Sequence, residues 1–287
     1  MTTASPLFDA PGPRTRRIFA FANVAAVLVL AAGLGWVVWM LARNGQLAAA
    51  KWTPFLAGST WVDYLLPGLL GTLGAAAISV VLAGVLGVVL GLGRLSENRW
   101  ISGVAGAIVE FFRAVPVLLM MVFSYWLLVN YRLVPSDQLA LTAVVISLTV
   151  YNGSVVAELV RSGITSLPRG QREAGLSIGL THGQTVRTIL LPQGVVAMLP
   201  ALVSQLVVVV KDSALGYLIG YAELLRQAEY LATNFANYIP AVIVIAAIFI
   251  LVNFSVGLLA DRLARRLRSR TSGSVQTQVP GLVAADD

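Results

Sequence analysis

The sequence predicts an all-α integral membrane protein with about six transmembrane helices and both termini cytoplasmic. Three observations carry that reading. Hydrophobic residues make up 57% and charged residues only 11% of the 287 positions, and the mean hydropathy is +0.82, which is a membrane composition. Apolar runs close to the twenty residues needed to cross a hydrocarbon core recur along the chain. The cations gather at the ends of these runs: with both termini inside, fourteen of the twenty Lys and Arg fall in inner segments and four in outer ones, the asymmetry that sets orientation. The net charge of +7 therefore speaks of a membrane, not of nucleic acid. Cysteine is absent and there is one histidine, so disulfides are excluded and a multi-ligand zinc or iron–sulfur site is not expected.

Taken in order, residues 1–17 are a polar, proline-containing cytoplasmic tail ending in Arg14, Arg16 and Arg17. Ile18 to Leu41 is long enough to span and longer than the apolar stretch of a signal peptide, so an uncleaved first span is expected, although Ala48 to Ala50 has the look of a cleavage site. Residues 43–65, with Trp52, Trp61 and Tyr64, suit an outer interfacial segment. The second span, Leu66 to Leu92, places Gly71, Ala75, Ser79, Ala83, Gly87 and Gly91 at intervals of four, a small-residue stripe that lets another helix approach closely. After the polar turn Arg94 to Arg99, the uninterrupted apolar part of the third stretch is Ala114 to Val129; Arg113 precedes it, as an interfacial anchor or as a pathway residue. A loop at Tyr131 to Gln138 leads to the fourth span, Leu139 to Val160, which contains Asn152, Ser154 and Glu158.

Arg161 to Gln193 is a polar interruption that spells two short helices. Ser166 is expected to cap the first, Pro168 to Ile178, and Gly179 to end it in the left-handed conformation. Thr181 and Gln184 have capping-box spacing and open the second, which is expected to stop near Leu191 because Pro192 cannot continue it easily. A DNA-binding helix-turn-helix is a poor fit, since both helices are tethered closely to membrane spans and carry few cations. A well-capped loop without further purpose is the other reading of the residues alone. His182, within this knob, reads as a solvated loop residue. The fifth run, Val195 to Val210, meets Lys211 and Asp212, where a helix break lining a cavity is expected. A polar outer loop at 223–238, a last span from Ile239 to Leu259 and a cationic stop from Asp261 to Arg270 follow. The organisation is thus a tail (1–17), a first helix with its outer segment (18–65), a core of five spans (66–260) holding the knob (161–193), and a C-terminal tail (261–287).

The motifs of chemistry are missing. The chain has no HExxH and no Gly-Lys dipeptide from which a phosphate loop could be built. A polar route through such a protein belongs to a channel or secondary transporter working without an ATPase, or to the passive half of an energised machine.

The knob decides between these by resemblance. EAGLSIGLTHGQTVRTILLP resembles the EAA loop of permease subunits of ATP-binding cassette (ABC) importers, with Glu173, Ala174, Gly179, Ile189, Leu191 and Pro192 in register and Gly175 where the family usually has alanine. EFFRAVPVLL at 110–119, YNGSVVAELVRSGITSLPRGQ at 151–171 and KDSALGYLIGYAEL at 211–224 resemble polar amino-acid permeases, and within these the glutamate importers; RAVP departs from the usual Arg-Gly-Thr-Pro. The resemblance covers about Trp61 to Glu223. It implies the MetI-like permease fold of type I ABC importers in the cell membrane of a prokaryote. It also implies a cytoplasmic ABC ATPase dimer that carries ATP and Mg, so that this chain binds no cofactor itself. A second permease subunit, the same or related, and an extracytoplasmic amino-acid-binding protein complete the assembly. In that family the loop is a coupling helix seated in a groove of the ATPase; here the apolar side of Pro168 to Leu180 would be the wedge and Glu173 its polar contact. Arg113, Asn152, Ser154, Lys211 and Asp212 are the candidates for the route or gate of an acidic or zwitterionic amino acid.

Overall fold

The computed structural model describes residues 12–271, and over them every regular element is helical. The greater part of both predicted tails lies outside the described residues; the described remainder of each, 13–17 and 261–271, is helix. The first helix, α1 (Pro13–Arg43), opens with a proline where its missing N–H costs nothing and buries no residue against the rest of the chain. The outer segment folds into short turns: α2 (Ala49–Trp52), a 3₁₀ turn (Thr53–Leu56), α3 (Gly58–Thr60) and a π turn (Trp61–Leu65). The indole N–H groups of Trp52 and Trp61 donate to the carbonyls of Gln46 (3.0 Å) and Phe55 (2.9 Å), which fixes these turns.

The π turn runs directly into α4 (Leu66–Arg94), whose stripe is buried from Ala75 to Gly91 as its spacing predicts. A short turn leads to α5 (Arg99–Ala114) and, after a 100° bend, α6 (Val117–Asn130); α7 (Leu139–Thr165) follows. A Cβ on Gly87 would stand 2.5 Å from Val156, and one on Gly91 2.7 Å from Val160, so α4 and α7 approach to the limit that glycine allows. In lipid, such dispersion contact replaces the hydrophobic drive between helices.

The knob consists of α8 (Arg169–Ser177), α9 (His182–Thr185) and a π turn (Val186–Leu190), which continue into α10 (Leu191–Ser213). Two expectations are corrected here. Ser166 does not cap the knob: it closes α7, its hydroxyl donating to the Gly163 carbonyl (2.9 Å), and Pro168 itself occupies the N-cap of α8. Nor does the second helix end at Leu191. The π turn just before Pro192 already interrupts the i→i−4 ladder, so the ring finds room and its missing N–H breaks no needed bond.

Lys211 and Asp212 are still helical; the break comes two residues later, as a 3₁₀ turn (Ala214–Ile219) that ends on Gly220 at φ 81°. The predicted loop at 223–238 is instead α11 (Leu224–Phe235), which buries Leu224, Ala228, Leu231 and Ala232 at helical spacing. The last element is α12 (Tyr238–Thr271).

By length and composition five helices can cross a membrane, or six if the bent α5–α6 pair is one span. Contacts show how that pair runs. Arg94 at the end of α4 and Arg113 at the end of α5 both reach Glu158 in the knob-proximal part of α7. Ser124, midway along α6, accepts a hydrogen bond from Ser147 in the opposite half of α7 (3.2 Å). Hence α5 lies along the knob end of the bundle and α6 carries the chain to the far end, where α7 begins.

Candidate functional site

The knob is rigid by construction. Gly179 takes φ 85°, and the capping box is complete: the Gln184 N–H donates to Thr181 Oγ1 (3.3 Å) and the Thr181 N–H to Gln184 Oε1 (2.8 Å). Gly175 is the buried point of α8, seated on Thr185 and Ile189, and Gln193 Nε2 ties the start of α10 to Gln171 (3.1 Å). Ile189 and Leu191 are half-buried, whereas Pro168, Ala174 and Pro192 are exposed. The outer surface of α8 carries Glu173, whose carboxylate makes no hydrogen bond or ion pair among the described residues, beside Leu176 (43% exposed) and Ile178 (75%). A free carboxylate among exposed apolar side chains on a rigid element is the chemistry of a docking surface.

His182 is not the solvated loop residue expected from sequence. Its Nε2 lies 3.2 Å from the Leu95 carbonyl and its Nδ1 3.6 Å from Glu97, so it fastens the knob to the α4–α5 turn. Between the two lies a cleft of about 670 Å³.

The five route candidates do not converge. Asn152 is fully buried in α7; it donates to the Leu148 carbonyl (2.8 Å) and accepts from Gln205 Nε2 of α10. Ser154 is equally buried, its hydroxyl spent on the Val150 carbonyl (2.9 Å). Arg113 sits at the knob end, 3.6 Å from Glu158 and 4.0 Å from Glu110. Lys211 and Asp212 lie toward the far end of α10, exposed and half-buried respectively, and their side chains form no ion pair or hydrogen bond among the described residues. A cavity of about 560 Å³ between α4, α7, α10 and α12 has only Asn152 and Gln205 as polar lining. Such a wall does not desolvate a zwitterion favourably, so this cavity is not a polar route.

Sequence reasoning missed the densest polar feature. Glu158 accepts from Arg94 (2.7 Å) and Arg161 (2.6 Å) and faces Arg113, while Arg94 also reaches Glu110 (3.2 Å). Each of these residues interrupts an apolar run at the end that the charge count assigns to one face, which was the signal available. Glu223, the fully buried N-cap of α11, was missed as well.

Residues 83–269 match the family model described as "Binding-protein-dependent transport system inner membrane component". The chain is 53% identical over 242 residues to the glutamate transport system permease protein GluD of Corynebacterium glutamicum, covering 84% of this chain and 89% of that one. To the glutamate/aspartate import permease protein GltK of Escherichia coli it is 29% identical over 210 residues, covering 71% and 94%. Among solved structures, an amino acid ABC transporter crystallised with histidines superposes with a TM-score of 0.66 at 31% identity, over 74% of this chain and 98% of that one. The inward-facing MetNI methionine ABC transporter, at 23% identity and a TM-score of 0.62 over 74% and 99%, shares the fold. A match over most of the chain, a 53% identical relative and a knob built in register with the EAA loop lead to one conclusion: this protein belongs to the family of inner membrane components of binding-protein-dependent transport systems.

Proposed function

We propose that the chain is the permease subunit of an ATP-driven ABC importer of a polar amino acid, glutamate in the first place. The knob faces the cytoplasm and seats in a partner ATPase. The observation that carries the reading is the knob itself: a doubly capped, glycine-packed elbow, continuous with α7 and α10, that presents an unpaired Glu173 beside Leu176 and Ile178. Such an element delivers displacement to two spans at once. The names of the relatives, glutamate and glutamate/aspartate permeases, support the substrate.

In this reading ATP and Mg are bound by the ATPase dimer, and this chain's residues transmit motion only. Closure of the ATPase pair carries the knobs with it, α7 and α10 swing, and the route opens outward to a binding protein that delivers the amino acid. The route lies between this chain and a second permease subunit, the same or related; this accounts for the side chains of Lys211 and Asp212 forming no ion pair or hydrogen bond among the described residues. Asn152 and Ser154, already satisfied inside the bundle, hold helices together in this conformation.

The test is uptake into vesicles holding the permease with and without its ATPase, ATP and binding protein. ATP-dependent glutamate uptake is expected, lost in Glu173→Ala by about tenfold with normal membrane insertion. Uptake that needs no ATPase would instead make the chain a secondary transporter or channel.

A further inference from the structure

Three features place a joint beside the knob. First, α4, α7 and α10 are zipped by glycine: Gly87 and Gly91 against Val156 and Val160, and Gly163 against the Gly194 carbonyl, which a Cβ would approach to 2.9 Å. The knob grows out of α7 and into α10, so its displacement moves these three helices as one body. Second, α5 and α6 form an elbow of 100° with Pro116 at the bend, and the last turn of α5 carries Glu110 and Arg113. Third, those two residues meet the zipped body at Arg94 and Glu158: Glu110 accepts from Arg94 (3.2 Å), and Glu158 is shared by three arginines. Arg94 (2.7 Å) and Arg161 (2.6 Å) are tight, and Arg113 is slack, 3.6 Å from Glu158 and 4.0 Å from Glu110. The side chains of Arg94 and Glu158 are 14% and 22% exposed, so these contacts are largely shielded from water.

We propose that Glu158 is a positioning residue that passes the displacement of the knob to the α5–α6 elbow, with Arg113 as its exchanging partner. This rests on the importer reading above. A guanidinium held loosely between carboxylates on two helices has two places to sit. In the described state Arg113 bridges both; when the zipped body shifts, it is drawn onto one of them and the elbow is re-seated, so that α6 follows the ATPase stroke. The clasp of His182 on Leu95 and Glu97 holds the α4–α5 turn to the knob during the movement. Without the charge of Glu158 the three arginines repel one another, and α6 is released from the stroke while the knob still engages its motor.

The experiment uses the complete transporter in vesicles and reads glutamate uptake per ATP hydrolysed. Glu158→Gln and Arg113→Gln are expected to lower that ratio about tenfold while maximal hydrolysis stays within about twofold, and Arg113→Lys to recover most of it. Uptake and hydrolysis falling in parallel, with Arg113→Lys no better than Arg113→Gln, would reduce the cluster to structure; a ratio unchanged in both charge-removing variants would also overturn the proposal. Should Glu158→Gln fail to assemble, Arg113→Gln decides, since that side chain is 38% exposed and tolerates change. Absence of ATP-dependent uptake in the wild type would sink the importer reading itself; a transporting wild type matched by its variants sinks only this inference.

Discussion

A Cβ added to Gly175 would stand 2.6 Å from Thr185 Cγ2 and 3.0 Å from Ile189 Cδ1. Alanine is the better helix former by about 1 kcal/mol, yet overpacking of this kind costs about 1–3 kcal/mol, and Thr185 is fully buried with its hydroxyl donating to the Thr181 carbonyl (3.0 Å). The contact term wins. Gly175→Ala is therefore expected to destabilise the knob, raising amide exchange in α8 several-fold, and Thr185→Ser, which removes Cγ2 and keeps the hydroxyl, to restore most of the protection. Slower exchange in the single variant would mean that the glycine serves only flexibility. Propensity read from the sequence pointed toward alanine here, because the neighbour that excludes it stands ten residues away across a turn. Gly179 and the Thr181–Gln184 box were legible for the opposite reason: their partners lie within three residues. The ion cluster was not, since Arg94, Glu110 and Glu158 meet only after three helices have packed.

At the scale of elements, α11 shows how a segment that reads as a polar loop is held as a helix. Glu223 accepts from the N–H groups of Leu225 (2.8 Å) and Arg226 (2.7 Å), the Leu224 N–H donates to Thr72 Oγ1 (3.1 Å), and Gly68 admits Leu224. Burial pushes the Glu223 carboxyl from its ordinary 4.5 up to about 7, against the two amide bonds that favour the charge. The folded value lies above the unfolded one, so docking of α11 is most stable below about pH 4.5 and weakens as pH rises through about 7. The difference is on the order of 3 kcal/mol. Protection of the α11 amides, corrected for intrinsic exchange, should fall between pH 5 and pH 8 (a range of about three units), and the slope should vanish in Glu223→Gln. A slope that persists in the variant would place the titrating group elsewhere. The helical period of Leu224, Ala228, Leu231 and Ala232 was present in the sequence, hidden by the charges of Arg226 and Glu229, which pair with each other at 2.8 Å.

In the importer reading the whole molecule is a relay whose direction follows from where its contacts fall. α1 delivers the chain to the far end, where the Asn237 amide donates to the Lys51 carbonyl (3.1 Å), and α12 returns it to the knob end, where Ala264 lines the same cavity as Met198. Both ends of the described chain therefore lie on the knob side, together with Arg94, Arg99, Arg161, Arg169, Arg172 and Arg187. The positive-inside rule predicts the cytoplasm for that charge. Because the chain has no cysteine, single replacements report sidedness without background. In cells expressing the permease alone, a membrane-impermeant maleimide should label Thr233→Cys on α11 in intact cells and Ile178→Cys on the knob only after permeabilisation. The reverse pattern would put the knob outside, beyond the reach of any ATPase, and with it would fall both the coupling role of Glu173 and the joint at Glu158. The predicted pattern instead places the charge cluster and the knob on the side of the proposed motor, so that in the importer reading a single lever drives the spans packed against it; α1, which buries no residue among the described ones, stands outside that lever.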